Sequence, residues 1–393
     1  MSQLNLKLED FCEFISGFAW SSTGFNRDKK GIPIIRIQNV GESENSDFIY
    51  WDDKYQERFV VKKGDILLSL SGSFRAAQWN QEDALLNQRV VKIIPSEKTD
   101  TRWFLHILES KLAQIEGMGR HALVNNVSMA DLRKLEFLVP PLPEQRRIAA
   151  ILDKADAIRR KRQQAIDLLE TLLKGTYASL VGEQNPDYSN WKEYKIEELA
   201  ADVSSAMRTG PFGSALKHSE FVDEGIAVLG IDNAVKNHFQ WDERRFITLA
   251  KYEDLKRYTV RPNDVIITIM GTTGRSAVVP SNIPLAISTK HLATITVNRN
   301  IVEPEFLSNA IHCDGYVLRQ IGGANRGAIM DGLNLGIIRA TKVRVPPMEK
   351  QRRFTRALRS IRILQEKCEM SNGAAQELMN ALTSINFGEG LSG

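Results

Sequence analysis

The chain has 393 residues, of which 42% are apolar and 25% charged, and a formal net charge of +4. That length exceeds what one hydrophobic core usually serves, so two or more domains are expected, and so slight a basic excess identifies no partner. Its three cysteines, Cys12, Cys313 and Cys368, stand far apart without a C-x-x-C pair, which argues against a zinc site or a disulfide framework.

The opening "MSQLNLKLED" has neither the basic nor the apolar region of a secretion signal. The longest apolar runs, such as Val265–Met270, are strand-sized and too short to span a bilayer. A cytoplasmic protein with no membrane partner is expected. In chain order the first segment reads as short Ile-, Val- and Leu-rich strands broken by Gly, Asn, Asp and Pro. "RWFLHILESKLAQI" follows as a helix, with apolar residues three and four apart. Pro140, Pro141 and Pro143 then end a strand and open a long helix. Its stripe runs Ile151, Ala155, Ile158, Arg162, Ala165, Leu169, Leu172, Thr176, alternately four and three apart. A linker, "VGEQNPDYSN", leads on.

The rest repeats the first half. "KLEDF" from Lys7 matches "KIEEL" from Lys195, and "GIPIIRIQNV" from Gly31 matches "GIAVLGIDNA" from Gly225. "VVKKGDILLSLSG" from Val60 matches "TVRPNDVIITIMG" from Thr259. "GRHALVNNVSMADLRKLEFLVPP" from Gly119 matches "NRGAIMDGLNLGIIRATKVRVPP" from Asn325. "VPPLPEQRRIAAILDKADAIRRK" from Val139 returns as "VPPMEKQRRFTRALRSIRILQEK" from Val345, 206 positions on. The second stripe is Ala357, Ile361, Leu364, Cys368, Ser371, Ala375, Leu378, Leu382. Two matched stripes predict that the long helices pair with each other as a heptad seam. Chain continuity makes that pair antiparallel, a rod of roughly 54 Å with a globular unit at each end. The expectation is therefore an α+β tandem duplication, with two mixed α/β domains separated by two long antiparallel coiled-coil helices and related by a pseudo-twofold axis. The boundaries read 1–142, 143–180 for the first helix, 181–191 for the linker, 192–347, and 348–387 for the second helix.

The "PPLPEQRRIAAILD" run, its second copy and "TGPFGSALK" (Thr209–Lys217) resemble the specificity subunit of type I restriction–modification systems. The resemblance spans essentially the whole chain. The second copy departs from the motif, with Glu349 and Lys350 in place of Pro143 and Glu144. The resemblance implies two target-recognition domains, each reading half of a split double-stranded DNA target. It implies a helical scaffold that docks two methyltransferase subunits, with two restriction/translocase subunits able to join. S-adenosylmethionine, ATP and Mg would belong to those partners, leaving this chain with no cofactor or catalytic residue of its own. The alternatives are a nuclease or methyltransferase fused to a rod, a related type IIB-like specificity subunit, and an adaptor without DNA contact. Pro186, Asp187, Glu193 and Lys195 imitate a nuclease metal signature, but they lie in and beside a linker with no strand pair to hold the carboxylates together. "GMGRHA" fits a dinucleotide-loop spacing without the preceding strand.

Base edges are read by Arg, Lys, Asn, Gln and Ser on loops, and phosphates are held by basic side chains and Gly-rich turns. The matched loops "SGSFRAAQWNQ" and "MGTTGRSA" supply Ser73, Arg75, Gln78, Thr273 and Arg275. "MGRHALVNN" and "GANRGAIMD" supply Arg120, His121, Asn125 and Arg326. "TGPFGSALKHS" supplies Thr209, Lys217 and His218, with no clear counterpart in the first half. "STKHL" supplies Lys290 and His291, aligned with Asn87 and Gln88 of "LNQRV". Polar residues differ at most matched positions, so the two half-sites are expected to differ. The polar helix runs "EQRR" and "RRKRQQ" are expected to face partner subunits or DNA.

Overall fold

The computed structural model describes residues 4–41, 47–72, 74–119, 127–241, 244–325 and 333–387. It divides into two compact units, 1–163 with 370–393, and 164–369.

In the first unit a four-stranded antiparallel sheet runs in the order Cys12–Ser16, Val90–Pro95, Ile66–Ser69, Ala76–Gln78. A second sheet places Ile32–Ile35 parallel to Ala84–Leu86, flanked by Ile49–Trp51 and Val60–Val61. The second unit repeats both. Its first sheet is Met207–Thr209, Leu292–Ile295, Val265–Thr268, Ser276–Val278. Its second pairs Ile226–Leu229 in parallel with Ala286–Ser288, flanked by Phe246–Ile247 and Thr259–Val260. In each unit a strand at the start pairs with one at the end: Leu4–Lys7 with Glu136–Val139, and Lys192–Lys195 with Lys342–Val345. The apolar runs become buried central strands because both faces of Ile66–Ser69 and Val265–Thr268 are covered.

An aspartate, half-buried in the first unit and buried in the second, anchors the same corner of each by different means. Asp65 accepts from the Lys62 amide (2.8 Å), and Asp264 accepts from the Arg261 amide (2.8 Å). In the first unit the countercharge is Lys92, which lies 3.1 Å from Asp65 and donates to the Val60 carbonyl at 2.8 Å. In the second it is Arg208, buried against Asp264 and donating to the Thr259 carbonyl. The strand pairs are Ile15 with Lys92 and Arg208 with Thr294, so the cation has moved to the adjacent strand while its acceptors stay equivalent.

Each long helix is 40 residues, Leu142–Val181 and Met348–Phe387. Its N-terminus is locked by a buried glutamine. Gln145 accepts from the Asp100 amide (2.7 Å) and donates to the Pro140 carbonyl (2.8 Å). Gln351 likewise accepts from the Glu303 amide (2.8 Å) and donates to the Pro346 (2.8 Å) and Ile301 (3.1 Å) carbonyls. The side chain thus satisfies backbone groups that have no other buried partner. Gln145 therefore faces its own domain, unlike its expected place on an outward "EQRR" face. Gln351→Leu is expected to cost about 3 kcal/mol in urea unfolding, because a buried amide and its carbonyls lose their partner.

The α+β class and the duplication hold, but the coiled-coil rod between two globular ends does not. The helices pack together without forming an extended coiled coil, and each is divided between the two units. Ile148, Ala149 and Leu152 lie in the core of the first unit, while Leu173, Tyr177 and Val181 lie in that of the second with Phe354, Leu358 and Ile361. In the first unit Arg162 donates to the Ser371 carbonyl. The physical reason for the correction is the rotation of the stripe. Four expected seam residues, Ile158, Leu172, Leu364 and Leu378, are 47–56% exposed. Other buried residues stand one position later, at Leu152, Ile166, Leu173, Leu358 and Gln365, beside Ala155, Ile361 and Ala375 of the expected stripe, which are buried too.

Candidate nucleic-acid interface

Four backbone segments meet at the same strand ends in each unit. The first is the hairpin loop after Ile66–Ser69 or Val265–Thr268. Ser69 Oγ accepts from the Arg75 amide (2.8 Å) and Thr268 Oγ1 from the Arg275 amide (3.0 Å), so a hydroxyl closes both loops. The second is the loop before Val90 or Leu292. The Leu70 amide donates to the Arg89 carbonyl and the Ile269 amide to the His291 carbonyl, both at 2.9 Å. The third is the turn after the parallel strand, where Asn39 Oδ1 takes the Arg36 amide (2.9 Å) and Asn233 Oδ1 the Gly230 amide (2.8 Å).

The fourth segment follows the edge strand and crosses close to the second. A Cβ on Gly17 would lie 1.9 Å from the Asn87 carbonyl oxygen, and one on Gly210 would lie 2.2 Å from the Thr289 carbonyl carbon. Only glycine permits that approach. Beyond these glycines Phe18 and Phe212 are exposed aromatics. The "TGPFG" run therefore has a counterpart after all, Ser16–Trp20. The strand pairing shows the equivalence, although the side chains share little.

Register also corrects one alignment. Val90 faces Ser69 and Leu292 faces Thr268. Lys290 therefore corresponds to Gln88, and His291 to Arg89, one place later than the sequence match suggested. Exposed Arg89 was missed for that reason. Arg245 was missed too; it is half-buried and paired with Asp232 beside Gly230. Burial and the neighbouring Lys290 and Arg245 charges hold the His291 imidazole below its usual range, so it is uncharged at neutral pH.

A model for the type I restriction modification DNA specificity domain matches residues 5–168. The chain is 26% identical to the EcoBI type I restriction enzyme specificity subunit of Escherichia coli, over 98% of this chain and 83% of that protein. It is 21% identical to the MjaVIII specificity subunit of Methanocaldococcus jannaschii, over 96% and 91%. The fold resembles that of the type I restriction–modification S subunit from M. genitalium, with a TM-score of 0.63 and 16% identity over 98% of this chain and 96% of that one. Along nearly its whole length the chain is similar to specificity subunits of type I restriction–modification systems.

In this chain the expected contact residues divide into three groups. Arg75, Thr273, Arg275, Lys290 and His291 lie on the converging loops, and Thr209 ends the edge strand just before Gly210. Gln78, Lys217 and His218 do not belong to these loops. Gln78 Nε2 donates to the Gly64 carbonyl at 3.0 Å. The Lys217 amide donates to Glu220, which pairs with Lys251 (2.6 Å) of the helix Leu249–Leu255, and the His218 ring packs on Phe221. Ser73, Arg120, His121, Asn125 and Arg326 lie outside the described residues. The Val127 amide donates to the Leu70 carbonyl (3.1 Å), so the chain after His121 and Asn125 rejoins the fold at the hairpin loop.

The nuclease-like residues are engaged separately. Asp187 pairs with Lys350 (2.7 Å), Glu193 pairs with Lys342 (2.8 Å) and accepts from Tyr316, and Lys195 reaches Glu197 (3.4 Å). Their side chains tie the linker and the terminal strand pair to the second unit. No group of three or more potential metal ligands occurs among the described residues, and no helix there is long and apolar enough to cross a membrane.

Proposed function

We propose that each unit of the specificity subunit reads one half of a divided DNA target through its converging loops. Type I systems combine DNA recognition with methyltransferase and restriction subunits, and this chain is their non-catalytic recognition and scaffold component. The carrying observation is that equivalent backbone positions, held by equivalent hydrogen bonds, present different side chains: Gln88 against Lys290, and Arg89 against His291. A duplicated frame with altered contact residues suits two half-sites of different sequence. The uncharged His291 suits a base edge, as donor or acceptor, better than a phosphate.

Two methyltransferase subunits dock on the long helices in this reading, with restriction subunits added to the same assembly. Support comes from apolar side chains left exposed there, Ile158, Leu168 and Leu172 on the first helix and Ile363, Leu364 and Met370 on the second. Exposed apolar patches of this kind mark protein contacts.

The test is reconstitution. The chain alone, given DNA, Mg²⁺ and S-adenosylmethionine, is expected neither to methylate nor to cleave. With its methyltransferase subunits it is expected to bind DNA with a steep salt dependence. Asp187→Ala with Glu193→Ala should leave the activity of that complex unchanged. Cleavage by the chain with Mg²⁺ that this double variant abolishes would favour the nuclease alternative, and salt-independent association would favour the adaptor.

A further inference from the structure

Phe18 sits beside the loop that carries Gln88 and Arg89, and its backbone is tied to that loop on both sides. The Phe18 amide donates to the Leu86 carbonyl (3.1 Å), and the Gln88 amide donates to the Phe18 carbonyl (3.0 Å). The Trp20 indole donates to the same Leu86 carbonyl (3.0 Å). Gly17, immediately before, has no room for a Cβ against the Asn87 carbonyl.

The ring is held as firmly as the backbone. Its centroid lies 4.9 Å from that of Trp20, edge to face, and 5.3 Å from that of Phe59. Trp20 and Phe59 are buried in an apolar cluster with Ile34, Ile49, Val60 and Leu85. Phe18 covers these two rings yet is itself 45% exposed. A single exposed apolar side chain needs no explanation. Here, however, the second unit also exposes a ring from the equivalent segment. Phe212 is 53% exposed, two positions after Gly210 and next to Gly213, whose φ is +61°. Two segments with unrelated side chains each keep an exposed ring just past the glycine crossing, at the edge of the loop cluster.

DNA chemistry narrows what such a ring can touch. In the major groove the base edges present hydrogen-bond donors and acceptors, and the thymine C5-methyl is their one apolar group. Insertion between bases is the other use of a phenylalanine at DNA. It would draw Phe18 off Trp20 and Phe59 and lose both ring contacts. A ring kept on its platform offers apolar surface and no hydrogen-bond group, which suits a methyl. Gln88 leaves the adjoining backbone position, and glutamine pairs with N6 and N7 of adenine, whose partner base is thymine.

We propose that Phe18 packs on the C5-methyl of one thymine in the half-site of the first unit and selects thymine at that position. This rests on the reading that the converging loops meet DNA. In the second unit Lys290 stands in place of Gln88 and the ring has moved on by one residue, so this contact belongs to the first unit alone.

The test uses the chain assembled with its methyltransferase subunits and duplexes carrying the methylated target. Each thymine of the target is replaced singly by deoxyuridine, which lacks only the methyl. At one position uracil should weaken wild-type binding about fourfold, the worth of one buried methyl. Phe18→Ala should bind the thymine and uracil duplexes equally at that position. Phe212→Ala should keep the wild-type ratio there. The ratio is insensitive to the fraction of active protein. Should Phe18→Ala fail to fold, Phe18→Gln keeps a side chain over Trp20 and Phe59, ends in a polar group and should lose the discrimination likewise. No thymine whose methyl matters, or a ratio retained in both Phe18 variants, would overturn the contact. So would a rise in 2-aminopurine fluorescence on binding that Phe18→Ala abolishes, which would assign the ring to insertion. Absence of sequence-selective binding by the wild-type complex would strike the recognition role and this contact with it, whereas selective binding without a methyl effect would strike the contact alone.

Discussion

Gly210→Ala is expected to lower methylation of the target by about 100-fold while the second unit stays folded. The added Cβ would lie 2.2 Å from the carbonyl carbon of Thr289, so backbone must part by more than about 1 Å. That movement displaces Thr289–His291, the loop bearing Lys290 and His291. The cost in stability is smaller, about 1–3 kcal/mol, as for other overpacked sites. Gly17→Ala should act equally through Asn87–Arg89 of the first unit. The residual methylation should be relaxed in one half of the motif for Gly210→Ala and in the other half for Gly17→Ala. Gly322→Ala is the control, since nothing lies within 4 Å of that Cβ and alanine favours its helix. Long-read sequencing of methylated sites, with a melting curve for each variant, separates the outcomes. Wild-type methylation by both glycine variants would show that the crossing does not position the recognition loops.

The second large effect is on stability. Asp264→Ala leaves Arg208 buried without its carboxylate and should cost the second unit about 3–5 kcal/mol, or roughly 10 °C in its melting transition. It also removes the acceptor of the Arg261 amide and of the Thr296 hydroxyl (2.6 Å). The first unit indicates a repair of a different design. Arg208→Ile with Thr294→Lys, keeping Asp264, reproduces the Ile15 and Lys92 arrangement and should stay within about 2 kcal/mol of wild type. Unfolding with equal loss in both variants would mean that the two corners are not interchangeable.

Much of this was legible in the sequence. Repeated runs such as "GDILLSL" and "NDVIITI" placed the central strands and aligned Asp65 with Asp264. The hairpin loops followed from them, because hairpins at strand ends are found by locating the strands. Pairwise exchanges were not legible. Lys92 and Arg208 neutralise equivalent aspartates from different strands, and only the ladder brings them to one place. The match of Ser16–Trp20 with Thr209–Gly213 was hidden for a similar reason. It is a backbone equivalence set by Gly17 and Gly210 against neighbouring loops, and the flanking side chains are unrelated.

The long helices show how a correct period can yield the wrong partner. Ile151, Ile158 and Leu172 stand at multiples of seven residues from one another, and so do Leu152, Ile166 and Leu173. Periodicity does not distinguish two stripes offset by one residue when both carry Ile and Leu. The globular cores selected the second, because Trp103, Phe104 and Leu8 in one unit, and Phe306 and Leu307 in the other, form large apolar surfaces that the helices cover. Gln145 and Gln351 are the polar marks of that choice, since a buried amide at a helix start requires a backbone partner across the contact.

The central claim is that the two units divide the target between them, each through its own loop cluster. The most direct measurement is genome-wide sequencing of methylated adenines in cells that carry the chain with its wild-type partner subunits. Two sets of substitutions are compared, Arg75→Ala with Arg89→Ala in the first unit, and Arg275→Ala with His291→Ala in the second. The account predicts that the first set relaxes base preference in one half of the motif only and the second set in the other half only. A base-specific contact among them should account for about 1–3 kcal/mol of discrimination at its position. Both sets altering the same half, or both leaving the motif intact in a fully active complex, would contradict it.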